Sequence, residues 1–426
     1  TLFAGGFALT GVGSRATSMG GAVRGMADDG SAMYWNPAGL GFLDYNSYDL
    51  GATLIMPSSH WENSGTLTTG GTVIAGYEHK KYNSKNILRG FPSASLVMAK
   101  NPKYKFGLGI FVPYGLGATW DAYQLPQIPS LHYVSGFPKE ELMSSLVIAD
   151  IHPSFAYQIN QDLSAGLGLS VFYSTIQLKT IDFKPNASAP TDQTYQYAPI
   201  TTNLQGNGMG IGFNAGLLYK ATDQISLGIS GKTPSKISLD GDAEVFLWRP
   251  DSLKIGGKSD ISADLNLPGD IGFGISYKIQ PNWAVNLDYA YSMWKTLETV
   301  KVKMDEPVPM LDITESQIKF YWEDTHRISM GTEYKTDQNA YRCGFFWDQS
   351  PIPEHTFSPT FPDINDKISS NIGFGHSYGN WTLDMNLQYI IFSERDIKTQ
   401  NFTNNNKNGV YKANSISGNI GITYKM

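Results

Sequence analysis

Apolar and polar residues alternate along most of the chain after about residue 45. Within 209–219, for example, every odd-numbered position is apolar and most even-numbered positions are glycine or polar. A period of two indicates strands with one face against an apolar environment. Similar runs cover 163–173, 271–279, 283–291, 381–391 and 416–424, and weaker alternation is found near 45–57, 90–100, 103–115, 143–159, 223–240, 318–335, 338–350 and 366–379. The pattern predicts an all-β protein with fourteen strands.

The connections between these segments come in two kinds. Six are tight and rich in turn-forming residues, such as Asn101-Pro102 and Gln280-Pro281-Asn282. They alternate with seven long ones, which we place near 58–89, 116–142, 184–203, 241–257, 301–317, 351–365 and 396–410. An even strand number with short turns at one end and long loops at the other is typical of outer-membrane barrels. We therefore predict a fourteen-stranded antiparallel transmembrane β-barrel over residues 44–426.

Aromatic residues lie at a fixed distance from the tight turns. Tyrosines stand one to three residues before five of these turns, at Tyr157, Tyr219, Tyr277, Tyr334 and Tyr378. At a membrane interface such residues form a girdle, whereas packing in a soluble core would not keep this spacing. We expect the protein in the outer membrane of a Gram-negative bacterium, with membrane lipid and lipopolysaccharide around its wall.

Composition excludes several other classes. The chain has 426 residues with 32 Lys+Arg and 38 Asp+Glu, a net charge of −6, and no basic run, so we expect no nucleic-acid partner. No stretch approaches 18 consecutive apolar residues, which argues against membrane helices. The single Cys343, the histidine spacing and the lack of catalytic motifs predict no enzyme, no cofactor and no metal site. Residue 1 begins without signal-peptide features, so we expect a signal already removed or none.

The first 43 residues do not alternate and are not expected in the wall. They contain ten glycines and a compact irregular stretch around Asn36-Pro37-Ala38. Because fourteen strands enclose a lumen wider than side chains alone can fill, a plug is expected. We therefore predict that residues 1–43 form an N-terminal hatch inside the barrel.

Several motifs resemble the FadL/TodX family of outer-membrane transporters for long-chain fatty acids and aromatic hydrocarbons. The runs at 13–16, 27–29 and 36–38 resemble the family's hatch region, and Pro113 to Trp120 resembles its kink in the third strand. Further similar runs lie at 212–219, 265–268, 289–294, 326–331 and 347–353, in order along the chain. The long loops do not match, so substrate identity is not carried over.

The resemblance implies passive uptake of a hydrophobic small molecule, with long-chain fatty acid ahead of aromatic hydrocarbon. It implies capture among the extracellular loops, transfer to a site beside the hatch and lateral release through the wall. An aromatic hydrocarbon channel of the same family and a barrel scaffold in a surface assembly remain as alternatives. The barrel is expected to be a monomer.

The expected site residues form three groups. Hatch residues that match the family motifs are Arg15, Asp28, Asp29, Asn36, Pro37 and Ala38, and the expected lateral opening comprises Pro113, Tyr114, Gly115, Leu116 and Gly117. The candidate ligand contacts are Phe3, Phe7, Leu9, Trp294, Arg327, Arg342 and Phe346.

Each group has an alternative. Phe3, Phe7 and Leu9 could simply fill the lumen. The arginines could bind a carboxylate head group bidentately, or pair with luminal Asp288, Asp348 or Asp384. The two hatch aspartates could cap a short helix or bind a wall arginine. Pro113 lacks the N–H that a strand ladder needs, so the strand must bend or lose a hydrogen bond there.

Overall fold

The computed structural model is a closed barrel of fourteen antiparallel strands in chain order, with the last strand paired to the first. It describes residues 5–64, 68–69, 72–73, 81–121, 141–185, 197–248, 254–361, 363–398 and 407–426. The wall strands are β1 (Ser47–Asn63), β2 (Lys81–Asn83 and Arg89–Met98), β3 (Tyr104–Asp121), β4 (Glu141–Gln158), β5 (Leu163–Pro185), β6 (Tyr197–Lys220), β7 (Ile225–Lys232 and Ser235–Trp248), β8 (Lys254–Leu267 and Asp270–Gln280), β9 (Trp283–Ser292 and Thr299–Val308), β10 (Ile313–Lys319 and Thr325–Lys335), β11 (Asn339–Asp348), β12 (Lys367–Tyr378), β13 (Trp381–Phe392 and Arg395–Ile397) and β14 (Gly409–Lys425). The predicted strand number is confirmed.

The alternating positions separate an apolar outer face from a polar lumen. Met209, Ile211 and Phe213 on β6 are each about 60% exposed, as expected for side chains that face lipid. In the opposite phase, Asn286 and Asp288 on β9 are almost fully buried. No helix within the described ranges is long and apolar enough to cross a bilayer.

Strands β7 to β10 continue beyond the apolar band. The sequence predicts long connections at 241–257 and 301–317, but β7 runs to Trp248, β8 begins at Lys254 and β9 continues to Val308. These predictions are wrong because the period of two continues in the upper strands with the apolar residues turned inward. Leu239 and Val302 are buried there, whereas Asp240 and Lys301 are exposed, so these segments lack the lipid-facing pattern of the lower wall.

The N-terminal segment, defined here as residues 5–46, fills the lumen. It contains two short helices, α1 (Ser14–Ser18) and α2 (Ala32–Trp35), and a 3₁₀ turn at Pro37–Phe42. Its apolar side chains form a buried cluster with wall residues such as Phe111 and Leu218. The first wall strand begins only at Ser47, so this segment contributes no strand to the barrel.

The ladder between β2 and β3 stops partway up the wall. Pairing runs from Met98–Phe106 to Ala94–Ile110 and is then interrupted up to an isolated bridge between Ser84 and Trp120, while β2 continues along β1 and β3 continues along β4. The register of β3 against β4 shifts between Phe111 and Tyr114, so Val112 and Pro113 bulge out of the ladder. The predicted irregularity at Pro113 is therefore present, and it coincides with a gap in the wall.

Candidate functional site

Residues 7–9 of the N-terminal segment cover the wall gap from the lumen. The amide of Leu9 donates to the carbonyl of Pro113 at 2.7 Å, and the amide of Gly115 donates to the carbonyl of Phe7 at 2.9 Å. Ala8 and Tyr114 form an antiparallel bridge. This segment thus replaces β2 as the ladder partner of β3, which supplies the hydrogen bonds that a backbone at membrane depth requires.

Two glycines on β3 leave room for this arrangement. A Cβ at Gly115 would lie 3.2 Å from a methyl carbon of Leu9 and 3.3 Å from the ring of Phe91. A Cβ at Gly117 would lie within 2.3 Å of the guanidinium of Arg89. Leu116 pairs with Leu146 through the backbone, and its side chain lies outside the described part of the structure. A small cavity beside the gap is lined by Leu9, Gly11, Val12, Thr53, Phe91, Pro92, Ser93, Phe111 and Val112.

Phe7 occupies an aromatic site next to the gap. Its ring centroid lies 5.0 Å from that of Trp294, 5.6 Å from Trp322 and 5.8 Å from Tyr114, and the residue is 3% exposed. The indole Nε1 atoms of both tryptophans are buried without a hydrogen-bond partner in the described part of the chain. Phe3 lies outside the described residues. Three predicted contacts, Phe7, Leu9 and Trp294, are therefore close to the gap.

Both predicted arginines have protein partners. Arg327 donates to the carbonyl of Gly20 at 3.0 Å, approaches Asp348 at 3.9 Å and stacks on the fully buried Phe346. Arg342 contacts Asp384 at 2.5 Å. The pairing with luminal aspartates that the sequence left open is thus present for both arginines.

A buried ionic cluster joins the N-terminal segment to β10 and β11. Arg15 binds Glu333 bidentately, with both N–O distances 2.8 Å, and the side chain of Glu333 is 3% exposed. Arg342 donates to the same carboxylate at 2.6 Å. Arg15 also contacts Asp28 at 2.5 Å and Asp29 at 3.5 Å. The expected wall-arginine partner of these aspartates is wrong, because Arg15 belongs to the N-terminal segment itself.

The two aspartates differ in their surroundings. Burial alone would raise the pKa of Asp28, but the charges of Arg15 and Lys335 outweigh it and hold that pKa below its ordinary value. Asp29 accepts hydrogen bonds from the amide and hydroxyl of Ser31, directly before α2. The first aspartate therefore contributes to the ionic cluster, and the second organises the start of a helix, as the sequence allowed.

The Asn36-Pro37-Ala38 triplet holds the centre of the N-terminal segment. Asn36 is fully buried and donates from Nδ2 to the carbonyl of Arg24 at 2.9 Å and to that of Leu217 at 3.2 Å. Its Oδ1 accepts from the amide of Ala38 at 3.2 Å. Pro37 begins the 3₁₀ turn, where its missing N–H costs nothing. The side chain of one residue thus connects two parts of the segment to β6.

Four residues at the site were not selected from the sequence. They are Arg89, Phe91, Trp322 and Glu333. Glu333 lies in the lumen phase of β10, so a charged residue in that phase was the available signal. The other three lie in strands or connections with weak alternation, where the lumen phase is hard to assign.

The fold and site together define an outer-membrane β-barrel whose lumen is filled by its own N-terminal segment. The family described as outer membrane protein transport protein (OMPP1/FadL/TodX) matches residues 1–425, and the chain belongs to this family. It is accordingly an outer-membrane protein.

Known relatives agree over almost the whole chain. A long-chain fatty acid transport protein of Escherichia coli O6:H1 is 25% identical over 415 residues, which cover 90% of this chain and 85% of the relative. The crystal structure of a Pseudomonas aeruginosa FadL homologue has 18% identity and a TM-score of 0.79, covering 98% of this chain and 99% of that one. The Pseudomonas putida toluene transporter TodX has 17% identity and a TM-score of 0.73, covering 99% of each chain. These structures share the fold of the present protein.

Proposed function

We propose that this protein takes up long-chain fatty acids passively across the outer membrane and releases them sideways through the gap between β2 and β3. The observation that carries this proposal is the replacement of β2 by residues 7–9 as the ladder partner of β3. Moving this short segment would open the lumen to lipid without unfolding the wall. The fatty acid transport protein of E. coli supports the choice of cargo.

Hydrophobic transfer supplies the free energy for such a route. Burial of each CH₂ group contributes about 0.8 kcal/mol, so a long acyl chain leaves water for an apolar site without another energy source. We assign residues 1–43 the role of the hatch. Phe7 contacts the aromatic site and Leu9 lines the gap, so one displacement would couple ligand binding to opening.

The lower end of the lumen favours lateral release over release past the hatch. Arg15, Glu333 and Arg342 form the buried ionic cluster there, with Asp28 at its exposed edge. An apolar molecule passing this way would have to separate buried charges, at a cost of several kcal/mol. The gap at Pro113 presents apolar side chains instead.

Uptake of a monoaromatic hydrocarbon is a second candidate. The ring of Phe7 sits among Trp294, Trp322 and Tyr114, so a small aromatic ring would find similar partners if Phe7 withdrew. The likeness to a toluene transporter is one of fold alone.

The experiment compares Gly115→Arg with Gly115→Ala. The arginine side chain would fill the space between Leu9 and Phe91, whereas a single methyl group would require shifts of only a few tenths of an ångström at two flexible side chains. Uptake of labelled oleate and toluene is measured in cells that lack their own transporters, and binding is measured on purified protein. We expect Gly115→Arg to abolish oleate uptake, and Gly115→Ala to retain most uptake.

Other outcomes separate the alternatives. Oleate uptake that persists in Gly115→Arg with binding intact would show release past the hatch. Toluene uptake without oleate uptake by the wild type would select the second candidate. If the wild type neither binds nor transports either compound, a scaffold role would replace transport.

A further inference from the structure

Among the luminal cations of the described ranges, Arg89 differs from those compared below by having neither a carboxylate nor a carbonyl partner. It is the first residue of the second β2 segment, where it pairs with Ile55 of β1. Its side chain points into the lumen, as that of Phe91 does. In the described part of the chain it forms no ion pair, and its Nε atom is buried without a hydrogen-bond partner. By contrast, carboxylate or carbonyl partners are present for Arg15, Arg24, Lys105, Arg327, Arg342 and Lys367.

The guanidinium of Arg89 extends across the unpaired seam between β2 and β3. A Cβ built at Gly117 would lie 2.2 Å from its Cζ and 2.3 Å from its Nε and Nη2 atoms. The group therefore lies flat against the β3 backbone, and only glycine at this position allows that approach. This places a positive charge directly above the wall gap.

Apolar groups lie below this charge. Phe91 and Leu9 both approach Gly115, two residues along β3, and the small cavity continues past Val12, Phe111 and Val112. A cation at one end and an apolar slot at the other match the two parts of an amphiphile with an anionic head. A partly desolvated guanidinium without a partner is also unfavourable, and a bound carboxylate would relieve that cost.

We propose that Arg89 binds the carboxylate of the transported fatty acid, with the hydrocarbon chain in the gap between β2 and β3. This inference rests on the proposed function and adds a head-group residue to it. A guanidinium binds a carboxylate through two parallel hydrogen bonds, which a hydrocarbon or an alcohol cannot reproduce. Arg89 would therefore select acids over uncharged molecules of the same length.

The test measures binding of oleate and oleyl alcohol to the purified full-length protein. Wild type is compared with Arg89→Gln and Arg89→Lys, and with Lys81→Gln as the control. Lys81 is an exposed cation on the same strand, 3.5 Å from Glu62. We expect Arg89→Gln to bind oleate about 10- to 100-fold more weakly, as for loss of a hydrogen-bonded charge, and oleyl alcohol within twofold. Arg89→Lys should recover part of the oleate affinity, and Lys81→Gln should match the wild type.

The comparison of ligands keeps the inference separate from the proposed function. Equal losses for oleate and oleyl alcohol in Arg89→Gln would mean that Arg89 only supports the local structure. Unchanged oleate affinity in Arg89→Gln would overturn the head-group role while uptake of fatty acids stands. A wild type that binds neither ligand would refute the proposed function, and the role of Arg89 with it.

Discussion

Replacing Asn36 with alanine should loosen the N-terminal segment without opening the barrel. Asn36 is fully buried, and the substitution removes three hydrogen bonds of its side chain. Two are donated by Nδ2, at 2.9 and 3.2 Å, and one is accepted by Oδ1, at 3.2 Å. It leaves the carbonyls of Arg24 and Leu217 and the amide of Ala38 without this side chain. The barrel ladder itself involves only backbone groups, so the wall should remain paired.

The size of the effect follows from these three bonds. Each neutral hydrogen bond contributes about 1 kcal/mol net, so the docked segment should lose about 3 kcal/mol. With about 1.4 kcal/mol for each factor of ten, the undocked population should rise by roughly two orders of magnitude. Hydrogen exchange should then accelerate strongly within 20–40, because these amides exchange through local undocking.

The assay combines hydrogen exchange, heat modifiability on a gel and oleate uptake. The control is Asn371→Ala, because Asn371 is also buried but bonds to wall residues only, donating to the carbonyl of Gly344 and to Ser369. Asn36→Ala should accelerate exchange in the segment and lower uptake while heat modifiability is retained. The control should leave exchange in the segment unchanged. If exchange in Asn36→Ala matches the wild type, these hydrogen bonds do not hold the segment.

Two further predictions concern topology and pH. In a Cys343→Ser background, a cysteine placed at Met310, which is 81% exposed between β9 and β10, should react with a membrane-impermeant reagent on intact cells. A cysteine placed at Asp223, in the β6–β7 turn, should react only after the cells are permeabilised. Reaction of both on intact cells would contradict an orientation with the long loops outside the cell and the tight turns in the periplasm. Burial raises the pKa of Asp363, in the β11–β12 connection, from 3.8 to about 6, although the charge of Lys367 acts in the opposite direction. The raised pKa therefore stabilises the folded protein fully below about pH 4, and this contribution is lost as the pH rises through 6. Thermal unfolding of Asp363→Asn should accordingly depend less on pH between 5 and 7 than that of the wild type, and an identical pH dependence would refute the assignment.

The wall could be predicted because its signal is local. Each transmembrane strand needs one lipid-facing phase, so the apolar positions of β6 or β13 can be counted directly from the sequence. The irregularity at Pro113 could also be predicted, because the missing N–H is a property of that residue alone. The upper parts of β7 to β10 alternate with their apolar residues buried and their polar residues exposed, so they lack the lipid-facing pattern, and the predicted loops there were too long.

The site depends on contacts that have no local signature. Arg15 and Glu333 are 318 positions apart, and nothing near either residue indicates its partner. Arg89 is a single charge in a strand with weak alternation, and its importance appears only when the guanidinium is seen over Gly117. The alternation along a strand shows which arginines face the lumen, so these could be proposed as ligand-binding residues. Whether a carboxylate of the protein already pairs with them depends on the three-dimensional arrangement.

The contacts of the N-terminal segment have a consequence for assembly. Thr10 bonds to Gln388 on β13, and Thr53 on β1 bonds both to Gly11 and to Asn419 on β14. These partners stand next to each other only when the first and last strands have joined. Contacts between such distant parts of a chain form late, because a long loop must close before they can contribute. The N-terminal segment precedes the wall strands in the chain, yet it would be the last element to reach its final position.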